Sequence, residues 1–258
     1  EEERKMVFDE YYQLERTVVT GIVQRYIGKN ISVNLGKTDA FLAENEQVRG
    51  EHFEPTERIK VLILEVKDTT RGPKVLVSRT HPELVKRLFE AEVTEIKDGT
   101  VEIMSIAREA GSRTKMAVRT NNPNVDAVGA CVGKNGERVN AIVEELRGEK
   151  IDIVNWDENP GNFIQNALSP AKIVAVFADP DEKTAKVVVP DYQLSLAIGK
   201  EGQNARLAAR LTGYKIDIKS ETQAKDAPGF RYEDYVDDYE DDTVDDFDGE
   251  QELSLIHI

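Results

Sequence analysis

The chain has 258 residues and a formal net charge of −15, a length that points to two domains or three small ones rather than to a single globule. One cysteine, Cys131, excludes a disulfide framework, and three scattered histidines (His52, His81, His257) with no cysteine near them exclude the usual zinc spacings, so no metal and no cofactor is expected. No run approaches the apolar length of a membrane span and no charged-then-apolar leader opens the chain, which predicts a soluble protein of the reducing cytoplasm with no membrane partner.

The acidity sits at the ends. Residues 221–258 hold 14 acids against Lys225 and Arg231, residues 1–16 hold six acids and three bases, and residues 17–220 hold 29 of each. The net charge describes mainly a tail and leaves room for basic patches on a neutral body. The opening Glu1-Glu2-Glu3 without a methionine suggests a piece of a longer protein. The closing Leu253–Ile258 resembles a translated sequencing adapter and is set aside as a scar, with a short docking peptide as the other reading.

Residues 17–80 read as five short strands, 18–26, 31–35, 38–42, 59–66 and 74–78, broken at Gly28, Gly36 and Gly72. Ile31-Ser32-Val33-Asn34-Leu35 alternates strictly, as a strand with one face in a core and one in water requires. So small a sheet hides its edges most economically by closing, which predicts an all-β OB-fold barrel. Tyr26 and Phe41 are its candidate stacking aromatics, and core packing is the alternative for each.

A charged helix over 83–91 follows, then strands at 101–106 and 115–119. A helix over 137–147 carries Val139, Ile142, Val143 and Leu146 on one face and ends at Gly148, where a C-cap glycine belongs. Further on, 160–168 reads as a short helix. Residues 172–177 and 186–189 read as a hairpin turned at Asp179-Pro180-Asp181.

An internal repeat organises this half of the chain. Val128-Gly129-Ala130-Cys131-Val132-Gly133-Lys134-Asn135-Gly136 is echoed by Leu194-Ser195-Leu196-Ala197-Ile198-Gly199-Lys200-Glu201-Gly202. Each block leads into a helix, a capping glycine (Gly148, Gly213) and the identical string Lys-Ile-Asp-Ile, 17 and 16 residues after the first glycine of its turn. Both copies run helix, strand, strand, helix, G-x-x-G, helix, strand.

A G-x-x-G turn between two helices has almost no side-chain cover, so its N–H groups and the following helix N-terminus can approach phosphates closely. Lys134 and Lys200 add mobile positive charge, Arg138 and Arg206 follow in the next helices, and Val132 and Ile198 wall a cleft for unstacked bases. A single such motif is commonly a plain loop; here it is doubled in matched surroundings. A P-loop is excluded, because that motif needs four residues between its glycines and a Ser or Thr after the Lys. No nucleophile–base set or carboxylate cluster stands out, so no catalysis is expected.

These residues carry a family resemblance. G-K-N-G and G-K-E-G in helix–turn–helix context, each with its Ile-Asp-Ile strand, resemble two K-homology domains, and the helix-first order makes them type II. With the barrel in front, of the S-one kind, and blocks such as Gly148-Glu149-Lys150-Ile151-Asp152-Ile153 and Ser78-Arg79-Thr80, residues 1–220 resemble a family of bacterial transcription elongation, termination and antitermination factors. The resemblance implies a multidomain α+β protein. Residues 1–16 would be the end of an N-terminal domain's last helix, 17–80 the barrel, 81–155 and 156–221 the two K-homology domains (α/β sandwiches), and 222–258 a disordered acidic tail. It implies RNA contact through Gly133, Lys134, Asn135, Gly136 and Arg138, and through Gly199, Lys200, Glu201, Gly202 and Arg206. Glu201 departs from a purely basic loop, and a carboxylate there opposes a phosphate unless it points away.

The implied partners are nascent single-stranded RNA, RNA polymerase through a domain almost wholly outside this sequence, and other antitermination factors, with the chain itself a monomer. Two other readings are an accessory region of a nuclease like polynucleotide phosphorylase, which instead places one K-homology domain before its barrel, and a protein-binding scaffold, which would bind no RNA. Cys131 reads as a buried small hydrophobe and Trp156 as packing between the repeats. The tail interleaves Phe230, Tyr232, Tyr235, Tyr239 and Phe247 with acids. It reads as solvated chain or as a polyanion competing with RNA.

Overall fold

The structure, a computed structural model, describes residues 1–236 and the backbone of 256–257. Strands β1 (Val18–Ile27), β2 (Asn30–Asn34), β3 (Asp39–Leu42), β4 (Arg58–Thr69) and β5 (Gly72–Ser78) form a closed barrel in the order β1-β2-β3-β5-β4. β4 pairs back on β1, and β3 runs parallel to β5. Alternation produces the core: Ile31 and Val33 of β2 meet Val23, Ile63, Val75 and Val77 inside, all at most 1% exposed. Helix α1 (Glu2–Tyr12) packs on the barrel, with Tyr11 in the core cluster and its hydroxyl donating to the Leu35 carbonyl at 3.0 Å. Neither Tyr26 nor Phe41 belongs to that core. Tyr26 is 37% exposed and stacks on His52, while Phe41 is half-buried under the Lys74 ammonium.

After the barrel come α2 (Pro82–Glu92), α3 (Thr94–Lys97), β6 (Val101–Glu109), β7 (Arg113–Thr120), α4 (Ala127–Val132), α5 (Glu137–Glu145) and β8 (Lys150–Asn155), with strand order β6-β7-β8. Pro82 opens α2, the His81 ring accepts from the Glu83 N–H, and Leu84, Val85, Leu88 and Phe89 are buried. Glu149, before β8, is wholly buried, and its carboxylate accepts from Arg108, the Gly111 N–H and the Thr114 hydroxyl. A buried charge persists only when its lone pairs are filled in this way.

The second copy follows with α6 (Pro160–Ala167), β9 (Ala175–Asp179), β10 (Thr184–Val189), α7 (Leu194–Ile198), α8 (Gln203–Thr212) and β11 (Lys215–Ser220). β10 pairs antiparallel with β9 and parallel with β11. The hairpin turn is set by Asp179, whose carboxylate accepts from the N–H groups of Asp181 and Glu182. By contacts the chain divides into two compact units, Glu1–Thr114 with Thr120–Ile151, and Lys115–Arg119 with the chain from Asp152 onward.

The expected disordered tail from residue 222 does not hold for its first residues. Ser220 closes a capping box with Gln223 at the start of α9 (Glu221–Ala224), and α10 (Glu233–Val236) follows. Phe230 is 5% exposed in a cluster with Ala175, Phe177, Val188 and Ala224, and Tyr235 stacks on Phe177 at 4.8 Å. The acidic composition hid two rings that find an apolar sheet face. Tyr239 and Phe247 lie outside the described residues. Ile256–His257 form a two-residue strand paired with β9.

Candidate nucleic-acid interface

The two glycine turns have the same backbone, residue for residue. Gly133 and Gly199 have φ/ψ of 78/172° and 79/170°, Asn135 and Glu201 55/26° and 54/25°, and Gly136 and Gly202 77/12° and 75/12°. Each turn therefore needs three positive-φ residues among four, with glycine at its two ends. The two ends need glycine for different reasons. A Cβ on Gly133 would stand 2.8 Å from Arg138 Cγ and one on Gly199 2.7 Å from the Asn204 backbone nitrogen, whereas one on Gly136 would meet only the amide end of the Asn140 side chain at 3.0 Å and one on Gly202 nothing nearer than 3.8 Å.

The turns close through Gly136 N–H to Gly133 O at 3.2 Å and Gly202 N–H to Gly199 O at 3.1 Å. The leading N–H groups of a helical turn have no acceptor inside it, so those at Lys134–Asn135 and Lys200–Glu201 are what each turn offers a ligand. All four of these side chains are exposed. Just before each turn Val132 is half-buried and Ile198 is 37% exposed.

The two arginines do not occupy equivalent positions. Counted from the first glycine of each turn, Arg138 corresponds to Asn204 and Arg206 to Asn140. Arg138 is tied down: its Nη1 donates to Glu95 at 2.6 Å and to the Ala130 carbonyl at 2.7 Å. The Glu95 carboxyl is held below the ordinary glutamate range first by its own backbone N–H and then by the Arg138 guanidinium. Asn204 is buried and donates to the carbonyls of Leu168 and Ala197. Arg206 is exposed and lies against its turn, its Nη1 donating to the Glu201 carbonyl at 2.9 Å. The structure thus brings Arg206 to the turn surface and makes Arg138 a strut between helices.

The electrostatics of the two sites differ. The first turn borders a cleft of about 480 Å³ whose lining includes Glu92, Glu95 and Glu137 beside Lys134. The second carries Glu201 within the turn, offset by Lys200 and Arg206. Asn204 carries no charge to mark it in sequence, and only counting from the first glycine of each turn aligns it with Arg138. The exposed apolar side chains ahead of the second turn, Tyr192 and Leu196, were missed because nothing in composition marks exposure.

Cys131 is buried, and burial raises its thiol pKa to about 11. Trp156 packs on Phe163 with the Arg119 guanidinium over its ring. Among the described residues no group of three or more His, Cys, Asp or Glu is placed to hold a metal, and no helix is long and apolar enough to cross a membrane.

A barrel followed by two α/β layers, each with a bare glycine turn between helices, defines a protein of the tandem K-homology class. Family models described as the NusA-like first KH domain and the NusA-like second KH domain match residues 79–156 and 160–226. Curated relatives named "Transcription termination/antitermination protein NusA" are similar over most of the chain. That of Bacillus subtilis is 60% identical over 88% of this chain and 61% of its own length. That of Halalkalibacterium halodurans is 57% identical over 88% and 59%, and that of Thermus thermophilus 48% over 85% and 57%. The chain belongs to the NusA family. It spans about three fifths of the length of the curated relatives it matches.

Proposed function

We propose that this chain is an RNA-binding transcription factor that holds nascent single-stranded RNA on its two glycine turns and acts, without catalysis of its own, on pausing, termination and antitermination by RNA polymerase. The observation that carries this reading is the doubled turn, two backbones identical to within a few degrees, each opening a helix beside an exposed lysine. A main-chain cradle of this kind reads phosphate and suits an unpaired strand whose bases are splayed into the neighbouring cleft. The names of the relatives supply the transcriptional setting. On this reading the protein works in the cytoplasm as a monomer, with polymerase held mainly by segments outside this sequence. RNA is gripped by Gly133, Lys134, Asn135 and Gly136 in one turn and by Gly199, Lys200, Gly202 and Arg206 in the other.

The test is titration of a fluorescent single-stranded RNA with the chain and with Gly136→Asp combined with Gly202→Asp. Aspartate tolerates positive φ and places a carboxylate where phosphate is expected. The variant should lose most of its binding while keeping its circular dichroism. Binding by the parent should fall linearly on a log–log plot against salt. Equal affinities of parent and variant would refute the reading.

A further inference from the structure

We propose that Tyr192 is a stacking platform for one RNA base, the nucleotide next to those held by the second turn; the inference rests on the turn reading and adds a base contact to it. Three observations carry it.

Tyr192 is 74% exposed, the most exposed large apolar side chain among the described residues. An exposed ring is ordinarily mobile. Here both neighbours are pinned. The Asp191 carboxylate accepts from the backbone N–H and the hydroxyl of Thr222, and the Gln193 side-chain oxygen accepts from the Lys172 N–H at 2.9 Å. The Gln193 N–H donates in turn to the Pro190 carbonyl at 2.8 Å. The backbone that carries the ring is thus anchored on each side to other segments of the same unit, while the ring itself makes no stacked pair within the described residues. The anchored backbone fixes the point from which the ring is presented, so a ligand need order only the side chain itself.

Position supplies the ligand. Tyr192 lies in a single 3-10 turn, Asp191–Gln193, immediately before α7 and seven residues ahead of Gly199, a helical rise on the order of 10 Å from the turn. Leu196, 45% exposed, and Ile198, 37% exposed, lie between. A strand whose phosphates sit on the turn N–H groups continues along this helix. Aromatic rings beside such a track hold bases by stacking without regard to sequence. Tyr192 supplies what the second turn lacks, because Glu201 weakens its charge and a stacked base does not depend on charge.

The experiment compares the full chain, Tyr192→Ala, Tyr192→Phe and Gly136→Asp/Gly202→Asp on a short single-stranded RNA. A set of RNAs carrying one abasic site, moved along the strand, completes it. Tyr192→Ala should weaken binding about five- to a hundredfold, and Tyr192→Phe should keep it within about twofold, since the face of the ring and not the hydroxyl is used. One abasic position should weaken the parent by the same factor and leave Tyr192→Ala unaffected. Loss in the glycine variant with none in Tyr192→Ala overturns the platform and leaves the turn reading intact. Loss in neither overturns both. Loss in Tyr192→Ala that is the same at every abasic position also overturns the platform, because it shows no single base on the ring.

Discussion

Arg138 and Asn204 stand five residues after the first glycine of their turns, and each ties the helix after the turn to a carbonyl of the helix before it. Arg138 Nη1 reaches Ala130 O at 2.7 Å and Asn204 Nδ2 reaches Ala197 O at 2.9 Å. One hinge is braced by a charge and the other by an amide. Arg138→Ala should therefore act on stability, costing about 1–2 kcal/mol in urea unfolding once partial exposure is allowed for. Arg206→Ala should leave stability within about 0.5 kcal/mol. It should instead lower RNA affinity and reduce the slope of log K against log salt by about one. The reverse pattern would return Arg138 to the phosphate surface.

Glycine at the two ends of a turn answers different needs, and substitution separates them. Gly199→Ala brings a Cβ to 2.7 Å from the Asn204 nitrogen in a φ/ψ region reserved for glycine, with no flexible side chain to move aside. A loss of about 2–4 kcal/mol is expected. Gly202→Ala meets only the Arg206 Nη1, at an ordinary 3.8 Å, at φ +75° and should cost about 1–2 kcal/mol, the ordinary left-handed penalty. Equal losses would mean that the turn relaxes around the first glycine.

Arg79 is a buried charge of the first unit with every guanidinium nitrogen engaged. It is 1% exposed, its Nε and Nη2 donate to the Glu51 carboxylate at 2.7 and 2.8 Å, and its remaining donors reach Lys60 O and Glu145 O. The guanidinium also lies over the Phe53 ring. Arg79 thus joins α5 to the barrel, beside the Lys60 N–H that donates to the Glu145 carboxylate. Removing it leaves the buried Glu51 charge unpaired, so Arg79→Met should cost about 3–5 kcal/mol. Arg79→Met combined with Glu51→Leu should recover part of that loss. A single variant within 1 kcal/mol of the parent by urea unfolding would show that water enters and solvates Glu51.

The barrel strands were legible because alternation in β2 and the apolar runs of β4 and β5 follow from a closed core. The doubled turn was legible because Lys-Ile-Asp-Ile fixed the register of the repeat. What escaped shares a physical cause. Arg79, Arg108 and Glu149 look like surface charges, and only the fold shows them buried and satisfied. Arg138 and Arg206 look alike in sequence, but counted from the first glycine Arg206 aligns with Asn140, and only the fold shows that Arg138 is tied down. Phe230 and Tyr235 sit in a run whose average composition argues against order, and averaging removes the two rings that pack.

Cys131 should report opening of the first hinge. Burial lifts its thiol from the ordinary 9.0 to about 11, a shift that makes the thiolate about a hundredfold scarcer at pH 8. Alkylation at pH 8 should be at least that much slower in the folded chain than in urea. The sign for stability follows: the neutral thiol is favoured in the fold, so this contribution is full below pH 9 and is lost as pH rises from 9 towards 11. Equal alkylation rates in folded and unfolded chain would mean that the α4–α5 hinge opens freely.

The segment after β11 bears on any role for the acidic tail. Phe230 is packed between the ammonium groups of Lys219 and Lys186, 5.2 and 5.7 Å from its ring centre, over the β9–β10 face, and Asp234 accepts from the Gly229 and Arg231 N–H groups to shape the turn beneath it. Phe230→Ala should destabilise the second unit by about 2–4 kcal/mol. Ending the chain at 221 should expose Phe177 and Val188 and lower solubility as well. Such a truncation confounds a lost fold with a lost polyanion. A tail that competes with RNA is tested by ending the chain at 236, which keeps the packed rings and removes 237–258. Affinity that rises at low salt in the 236 truncation supports competition. Affinity that stays level excludes it, while a fall confined to the 221 truncation shows that the tail's first residues serve the fold alone.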